Sequence, residues 1–379
     1  MVRMKKNVEK KKFTFIDLFA GIGGFHTALH SFGGRCVFAS EWDKNARISY
    51  EANYKDVEPK LFEKDINGQY LYFNEDINDA DPCKIPNFDI CCGGFPCQPF
   101  SVAGLKRGFE DTRGTLFFNI ANIVKEKIKE GFPPKVLFLE NVRGLKSHDQ
   151  GQTLKVILAT LEELGYTCSF NVLNAKFFGL PQNRERLFII AWYRKLIDVE
   201  EFCFPLGIDS NGKTIYEKAK LKELARPTKV SEIFEPFATI DEKFTISDRM
   251  WEGHQRRKER NRLNGKGFGY SIFNGESSYT STISARYWKD GSEILIDQSD
   301  KGLNPRVLTP VEAGRLQGYR IVGNGWERSE CANNENYNDS NIEFKIVVSK
   351  KEAYHQFGNS VAVPVIKRIT KEIVNQLMK

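Results

Sequence analysis

The stretch Asp89-Ile90-Cys91-Cys92-Gly93-Gly94-Phe95-Pro96-Cys97-Gln98-Pro99-Phe100-Ser101 organises the chain. It opens as a short apolar run with the composition of a strand, then breaks at Gly93-Gly94. Pro96 fixes its own φ and restrains Phe95 to an extended conformation, so stiff backbone aims the residue that follows. That residue is Cys97, at the start of a long polar loop. A thiol at a strand end lies beside any ligand bound there. Cys91 and Cys92, inside the run, read as buried structural thiols. Cys97 taken alone reads equally as a structural thiol or as a nucleophile, and the rest of the chain has to decide.

Ahead of this stretch, Phe13 to Phe19 is a β-rich apolar run followed by Ala20-Gly21-Ile22-Gly23-Gly24, after which Phe25, Leu29 and Phe32 recur at helical spacing. Strand, glycine turn and helix begin a nucleotide-binding βαβ unit, in which glycines let the backbone approach a ligand at a helix N-terminus. The next strand, Cys36 to Ser40, ends in Glu41-Trp42. An acid there can bind ribose hydroxyls and an indole beside it can stack on adenine; the lesser reading of Trp42, taken as a lone aromatic, is a core residue. Asp76-Ile77 and Asp65-Ile66 compete as a further acid ahead of the Asp89 strand.

After Cys97, glycines at Gly104, Gly108 and Gly114 among charges give no apolar period, the pattern of a mobile lid. Leu116 to Val124 reads as a helix. Val136 to Leu139 is a buried strand ending in Glu140-Asn141-Val142, which a doubly wound sheet places beside the Cys97 strand end. Leu154, Ile157, Leu158, Leu161 and Leu164 mark an amphipathic helix closed by Gly165. Phe170 to Leu173 and Leu187 to Ala191 are further strands. Between them, Arg184 and Arg186 alternate on an extended segment and share a face, either lining a pocket or facing solvent.

From Phe204 the periodicity weakens and composition turns polar, which marks a domain change. The basic run His254 to Arg262 precedes the glycine-rich Gly265 to Tyr270; it is a solvated helix face or a phosphate contact. Tyr279 to Ile296, with a turn at Lys289-Asp290-Gly291, carries a hairpin signal. Thr309-Pro310 starts a helix, Asn324 to Asn341 reads as an exposed insertion, and Gln356 to Val361 opens the last helix.

The 379 residues carry a net charge of +7, a mild balance that suits a polyanionic partner. Eight cysteines without paired spacing point to a reducing, cytoplasmic compartment, and the absence of a CxxC pair with only five histidines argues against a metal. No apolar run is long enough to span a membrane. Met1 to Lys12 is lysine-rich, lacks the apolar core of a signal peptide and reads as a disordered basic tail.

Gly94-Phe95-Pro96-Cys97-Gln98-Pro99-Phe100-Ser101 resembles the nucleophile motif of the bacterial cytosine-5 DNA methyltransferases, and the other motifs stand in family order from Phe19 to Val361. The resemblance implies an α/β fold: a Rossmann-like, doubly wound S-adenosylmethionine-dependent methyltransferase sheet with a smaller DNA-recognition domain. It implies Cys97 as nucleophile on cytosine carbon 6, Glu140 as the acid at N3, Arg184 and Arg186 as O2 contacts, and Asn141 and Gln98 as supports. S-adenosylmethionine would meet Phe19, Gly21, Gly23, Glu41 on the ribose, Trp42 on the adenine, Asp76 and Ile77, Pro96, Leu116, Asn359 and Ser360. Asp76 is preferred over Asp65 because its distance to Cys97 matches the family spacing. DNA would meet Ser101, Arg113, Arg256, Arg257, Lys266, Thr282, Arg286 and Tyr287.

The segment Ser284-Ala285-Arg286-Tyr287 with Lys289 to Glu293 resembles the recognition segment of members that methylate CCGG and CCWGG. Arg286 would either make two hydrogen bonds to a guanine or hold a phosphate or an acid. The organisation expected is a tail over 1–12, a catalytic domain over 13–203, a recognition domain over 204–349 with a hinge helix near 306–319, and a returning segment over 350–379. The partner is double-stranded DNA, acted on by a monomer whose target cytosine is flipped out, alongside a cognate restriction endonuclease. Two other functions remain open on the residues alone. One is a nucleotide-dependent oxidoreductase, which lacks a full Gly-x-Gly-x-x-Gly here; the other is a non-catalytic DNA-binding module. A tRNA-methylating cousin is disfavoured by the long segment from Phe204 to Pro305.

Overall fold

The computed structural model describes residues 13–96, 116–199, 202–267, 269–321 and 342–379. The tail, the loop that carries Cys97, Gln98, Ser101 and Arg113, and the insertion at Asn324 to Asn341 lie outside the described residues.

The apolar runs become the strands of a seven-stranded sheet. In chain order they are β1 (Phe13–Leu18), β2 (Gly34–Ser40), β3 (Phe73–Asn74), β4 (Ile90–Gly94), β5 (Val136–Val142), β6 (Tyr166–Asn174) and β7 (Glu185–Tyr193). Their spatial order is β3-β2-β1-β4-β5-β7-β6. The strands from β1 to β5 pair in parallel, and β7 runs antiparallel to both β5 and β6. The order reverses between β1 and β4, so a crevice opens where their two C-terminal ends diverge, the usual ligand position of such sheets.

Parallel strands covered on both faces must be apolar at successive positions, which is why these runs are continuous and not alternating. Along β5, Val136 and Phe138 join one core and Leu137 and Leu139 the other. The first core is covered by α1 (Gly24–His30), α2 (Lys44–Tyr54) and the last helix; the second by α3 (Leu116–Lys129) and α4 (Gln152–Glu163). Gly165, at φ 95°, ends α4 as its sequence pattern requires.

Beyond the sheet, β8 (Gly207–Ile208) and β9 (Thr214–Ile215) pair with each other, and α5 (Lys218–Leu224) follows. A third core then gathers Ile283, Tyr287, Ile294, Leu308 and Leu316. Ahead of these residues in the chain, α6 (Asp248–Leu263) buries His254 but adds nothing to this core, which takes in the small sheet of β10 (Ile272–Phe273), β11 (Leu295–Ile296) and β12 (Arg306–Val307), and α7 (Pro310–Leu316). Thr309 caps α7 in a capping box with Glu312, whose carboxylate also takes a buried two-pronged contact from Arg306 at 2.7 and 2.8 Å. The chain closes with α8 (Lys350–Asn359) and α9 (Val363–Leu377).

Three local expectations are corrected. The first apolar run does not break at Gly93-Gly94; β4 continues through both. Glycine is needed there for closeness: a Cβ at Gly93 would lie 2.4 Å from the Leu18 carbonyl oxygen. Tyr279 to Ile296 is not a hairpin. Its one strand, β11, pairs with β10 and β12 from outside the segment, while Ser284 to Asp290 turns back on itself through the bonds of Tyr287 N–H to Ser284 O and Lys289 N–H to Arg286 O. Gln356 to Asn359 end α8 and do not open the last helix, which starts after an extended Ser360 with Pro364 in its first turn.

Candidate active site

The crevice is lined by chain that leaves the C-terminal edge of the sheet. After β1, Phe19 takes φ 55°, a left-handed conformation that is uncommon for a bulky side chain and is met mainly where a site requires it. Gly21 and Gly23 follow at φ 55° and 80°. Nothing lies within 4 Å of a Cβ built on Gly21, so this turn offers open backbone to a ligand. At Gly23 the same Cβ would strike the Tyr54 ring at 2.3 Å. Tyr54 clamps the turn from beneath, its hydroxyl lying 2.7 Å from the Gly23 carbonyl oxygen and 2.7 Å from Thr27 Oγ1.

Glu41, directly after β2, turns its carboxylate to this loop and accepts the N–H of Gly21 at 2.7 Å and of Asp43 at 2.8 Å. Burial pushes its carboxyl up, against the pull of those two N–H donors. Trp42 stands 75% exposed beside it. Asp76 follows β3 and caps the next turn through the Asn78 N–H at 2.9 Å, with Ile77 buried behind it. Asp65 instead closes a turn through the N–H groups of Asn67 and Gln69, and Ile66 beside it is wholly exposed. A carboxylate, an exposed indole and open glycine backbone are the donor set that a ribose and an adenine require, so the residues fit a nucleoside-bearing cofactor.

On the other side of the switch, Glu140 lies opposite Gly94 in the β4–β5 register, where a Cβ on Gly94 would come 2.9 Å from its Oε2. Because β7 runs antiparallel, its first residues return to this same edge, and Arg186 Nε lies 3.1 Å from Glu140 Oε1. Burial raises the Glu140 carboxyl; the charges of Arg186 and then Arg184 oppose the rise. Asn141 Nδ2 donates to the Phe95 carbonyl at 2.8 Å and so fixes the chain entering Pro96. Pro96 is exposed at the mouth, and Leu116 opens α3.

Two expected contacts are placed elsewhere. Arg184 is 2% exposed, and its guanidinium donates to the carbonyls of Ile283 at 3.2 Å, Gly358 at 3.2 Å and Ser360 at 2.5 Å. Those carbonyls take up its guanidinium, so it acts on Glu140 at range, through its charge, while Arg186 makes the contact. Tyr287, expected at DNA from the resemblance of its segment, is a core residue, 1% exposed, whose hydroxyl donates to Ile294 O and accepts Leu308 N–H.

Among the other expected DNA contacts, Arg286 and Lys266 are exposed, while Arg256 and Arg257 pair with Glu252 and Asp290. Thr282 Oγ1 donates to Asn183 O. Asn359 is exposed at the end of α8, and Ser360 is buried against Tyr319 Oη at 2.7 Å. Sequence reasoning passed over Tyr54, for which no local signal exists. It also passed over Gln182, which shares the two-residue spacing of Arg184 and Arg186 and joins Leu316 O to Ile283 N–H.

A family model described as C-5 cytosine-specific DNA methylase matches residues 13–375. The chain belongs to that family. It is 45% identical over 373 residues to the Type II methyltransferase M.SsoII of Shigella sonnei, covering 98% of this chain and 82% of that one. It is 38% identical to M.HpaII of Haemophilus parainfluenzae, covering 97% and 91%. The fold is shared with a crystal structure of a Spodoptera frugiperda DNMT2 mutant, at a TM-score of 0.65 and 18% identity over 97% of this chain and all of that one. As a member of the family, the protein is a DNA cytosine-5 methyltransferase that uses S-adenosylmethionine as methyl donor, and the oxidoreductase reading falls away. Among the described residues no helix is long and apolar enough to cross a membrane.

Proposed function

We propose that the protein methylates a flipped cytosine within a short specific sequence of double-stranded DNA through a covalent Cys97–cytosine intermediate. The observation that carries this is the Glu140–Arg186 pair at 3.1 Å, at the edge where Asn141 holds the strand leading to Pro96 and Cys97. Cytosine carbon 5 is a poor nucleophile. Addition of the Cys97 thiolate to carbon 6 makes an enamine whose carbon 5 is electron-rich. Glu140, held toward its acid form by burial, protonates or hydrogen-bonds N3 as the adduct forms, and Arg186 donates to O2. S-adenosylmethionine supplies the methyl group. Loss of the carbon 5 proton then expels Cys97. Carbon 6 is covered by stacked neighbours in a duplex, so the base must leave the stack.

Phe19, Gly21, Gly23, Glu41, Trp42, Asp76 and Ile77 are the residues we assign to the cofactor, with Pro96, Leu116, Asn359 and Ser360 around them. Arg286, Lys266 and Thr282 are assigned to DNA. Arg286, exposed on the turn after Ile283, is the residue we assign to an outer guanine of a GC-rich target. The names of the relatives, Type II methyltransferases, support a place in a restriction–modification system; a cytoplasmic monomer alongside an endonuclease of the same specificity is our own reading of the sequence. Residues 13–203 and 350–379 would form the catalytic unit and 204–349 the recognition unit.

The test is DNA carrying 5-fluorocytosine at the target. Fluorine cannot leave as a proton does, so elimination stalls and wild type is trapped as an adduct that survives denaturation. Trapping by Cys97→Ala would sink the nucleophile assignment.

A further inference from the structure

The strap Pro181–Arg184 lies between the two halves of the molecule and is bonded to both. Thr280 N–H donates to Pro181 O at 2.8 Å and Asn183 N–H to Thr280 O at 2.9 Å. Gln182 accepts the Ile283 N–H at 3.2 Å and donates to Leu316 O at 2.8 Å. Arg184 then gathers three carbonyls from two distant segments: Ile283, three residues before Arg286, and Gly358 and Ser360, at the junction of α8 and α9. Those two segments also touch directly. A Cβ on Gly358 would lie 2.3 Å from Ser284 O and Ala285 N, so the turn that presents Arg286 rests on the backbone of α8. Two residues beyond Arg184, Arg186 meets Glu140.

We infer that Arg184 is a positioning residue: it ties the DNA-reading turn at Ile283–Arg286 to the strap that aims Arg186, so that correct seating on DNA sets the Arg186–Glu140 geometry. The inference rests on the proposed roles of Arg186 and Glu140. A planar guanidinium bound to three carbonyls fixes three segments at once; a lysine keeps the charge but not the fork. A strap that drifts by even an ångström moves Arg186 off the base. The cost falls on DNA that seats correctly, because a mismatched site does not reach the aligned geometry in wild type either.

The experiment measures single-turnover methylation of a cognate duplex and of duplexes with one altered base pair, with S-adenosylmethionine affinity and melting temperature alongside. The variants are Arg184→Lys and Gly358→Ala; the latter keeps the Arg184 side chain but pushes the turn off α8, pulling apart the Ile283 and Gly358 carbonyls that Arg184 joins. For Arg184→Lys the cognate rate should fall about tenfold or more while mismatched rates barely change, so that discrimination collapses. Cofactor affinity should stay within about threefold, because Arg184 holds Ser360 by its backbone carbonyl and the glycine turn is untouched; a larger fall would mark a loosened cofactor site and overturn the inference. Gly358→Ala should show the same collapse. Equal loss on cognate and mismatched DNA in both variants would overturn the inference, as it would mark a direct substrate contact or general loosening. If Arg184→Lys does not fold, preserved discrimination in Gly358→Ala overturns it. Failure of wild type to form the 5-fluorocytosine adduct would instead strike the covalent mechanism and leave the discrimination ratios to judge Arg184 separately.

Discussion

Arg186 Nε and Glu140 Oε1 are 3.1 Å apart across two antiparallel strands whose register sets Arg186 opposite Val142. Burial raises the Glu140 carboxyl and the Arg186 charge lowers it. If Glu140 acts in its acid form, the rate falls as pH rises through this raised pKa. Removing Arg186 removes a lowering influence, so in Arg186→Gln the falling limb of the pH–rate profile should move to higher pH, on top of a loss of rate. Single-turnover rates across pH at saturating cofactor give the limb, and a shift to lower pH would contradict the pairing. Glu140→Gln should remove the limb and cost about 10²–10⁴-fold in rate.

Asn141 should matter to Cys97 and not to the cofactor. Asn141→Ala leaves the Phe95 carbonyl without its 2.8 Å donor, a loss of about 1–3 kcal/mol for a buried group. Asn141→Asp should be worse, since a carboxylate there cannot donate. Both should slow adduct formation with 5-fluorocytosine DNA while cofactor affinity, read by calorimetry, holds steady; a matching fall in cofactor affinity would show a wider collapse of the site.

Trp42 has no part in the core, so its removal separates binding from folding. Trp42→Ala should leave stability within about 0.5 kcal/mol, the usual range for an exposed side chain. It should weaken S-adenosylmethionine by about 1–3 kcal/mol if a base stacks on the indole. Fluorescence quenching of wild type by the cofactor and calorimetry of the variant provide the check, and unchanged cofactor affinity would remove Trp42 from the site.

Tyr287 and Arg286 are neighbours that should behave oppositely. Tyr287→Phe strands the Leu308 N–H and the Ile294 carbonyl and should cost about 1–3 kcal/mol of stability. Its salt dependence of DNA binding should match wild type, because no phosphate contact is lost. Arg286→Ala should leave melting unchanged and relax one base position when a randomised oligonucleotide pool is methylated. Equal loss at every site would make Arg286 a residue that only positions DNA.

The sheet was readable because buried parallel strands need uninterrupted apolar runs, so Cys36 to Ser40 and Val136 to Leu139 declare themselves without knowledge of their partners. The acids at their ends, Glu41 and Glu140, were readable for the same reason: position along a strand is a local property. Partners far along the chain were not. β11 pairs with β10 and β12 and not with a strand inside its own segment, and nothing in Tyr279 to Ile296 says so. Arg184 and Arg186 share a period, yet Arg184 gives its guanidinium to three backbone carbonyls from distant segments while Arg186 meets Glu140. Gly358 sits in a segment whose sequence suggests the opening of the last helix, and nothing local tells that its lack of a side chain serves the approach of Ser284 and Ala285.

Helix α1, which carries the glycine turn at its N-terminus, is buried along Gly24 to Leu29. Part of its cover is made very late: a Cβ on Gly24 would strike Val361 at 2.4 Å and crowd Tyr319 and Ser360, and Val365, Ile366, Ile369 and Ile373 of α9 complete the core around Phe25, Ala28 and Leu29. During synthesis, therefore, the first element of the cofactor crevice leaves the ribosome with its apolar face bare, and it stays so until the distal helix has been translated. A nascent chain cannot complete the cover of this crevice until its last helix has been made.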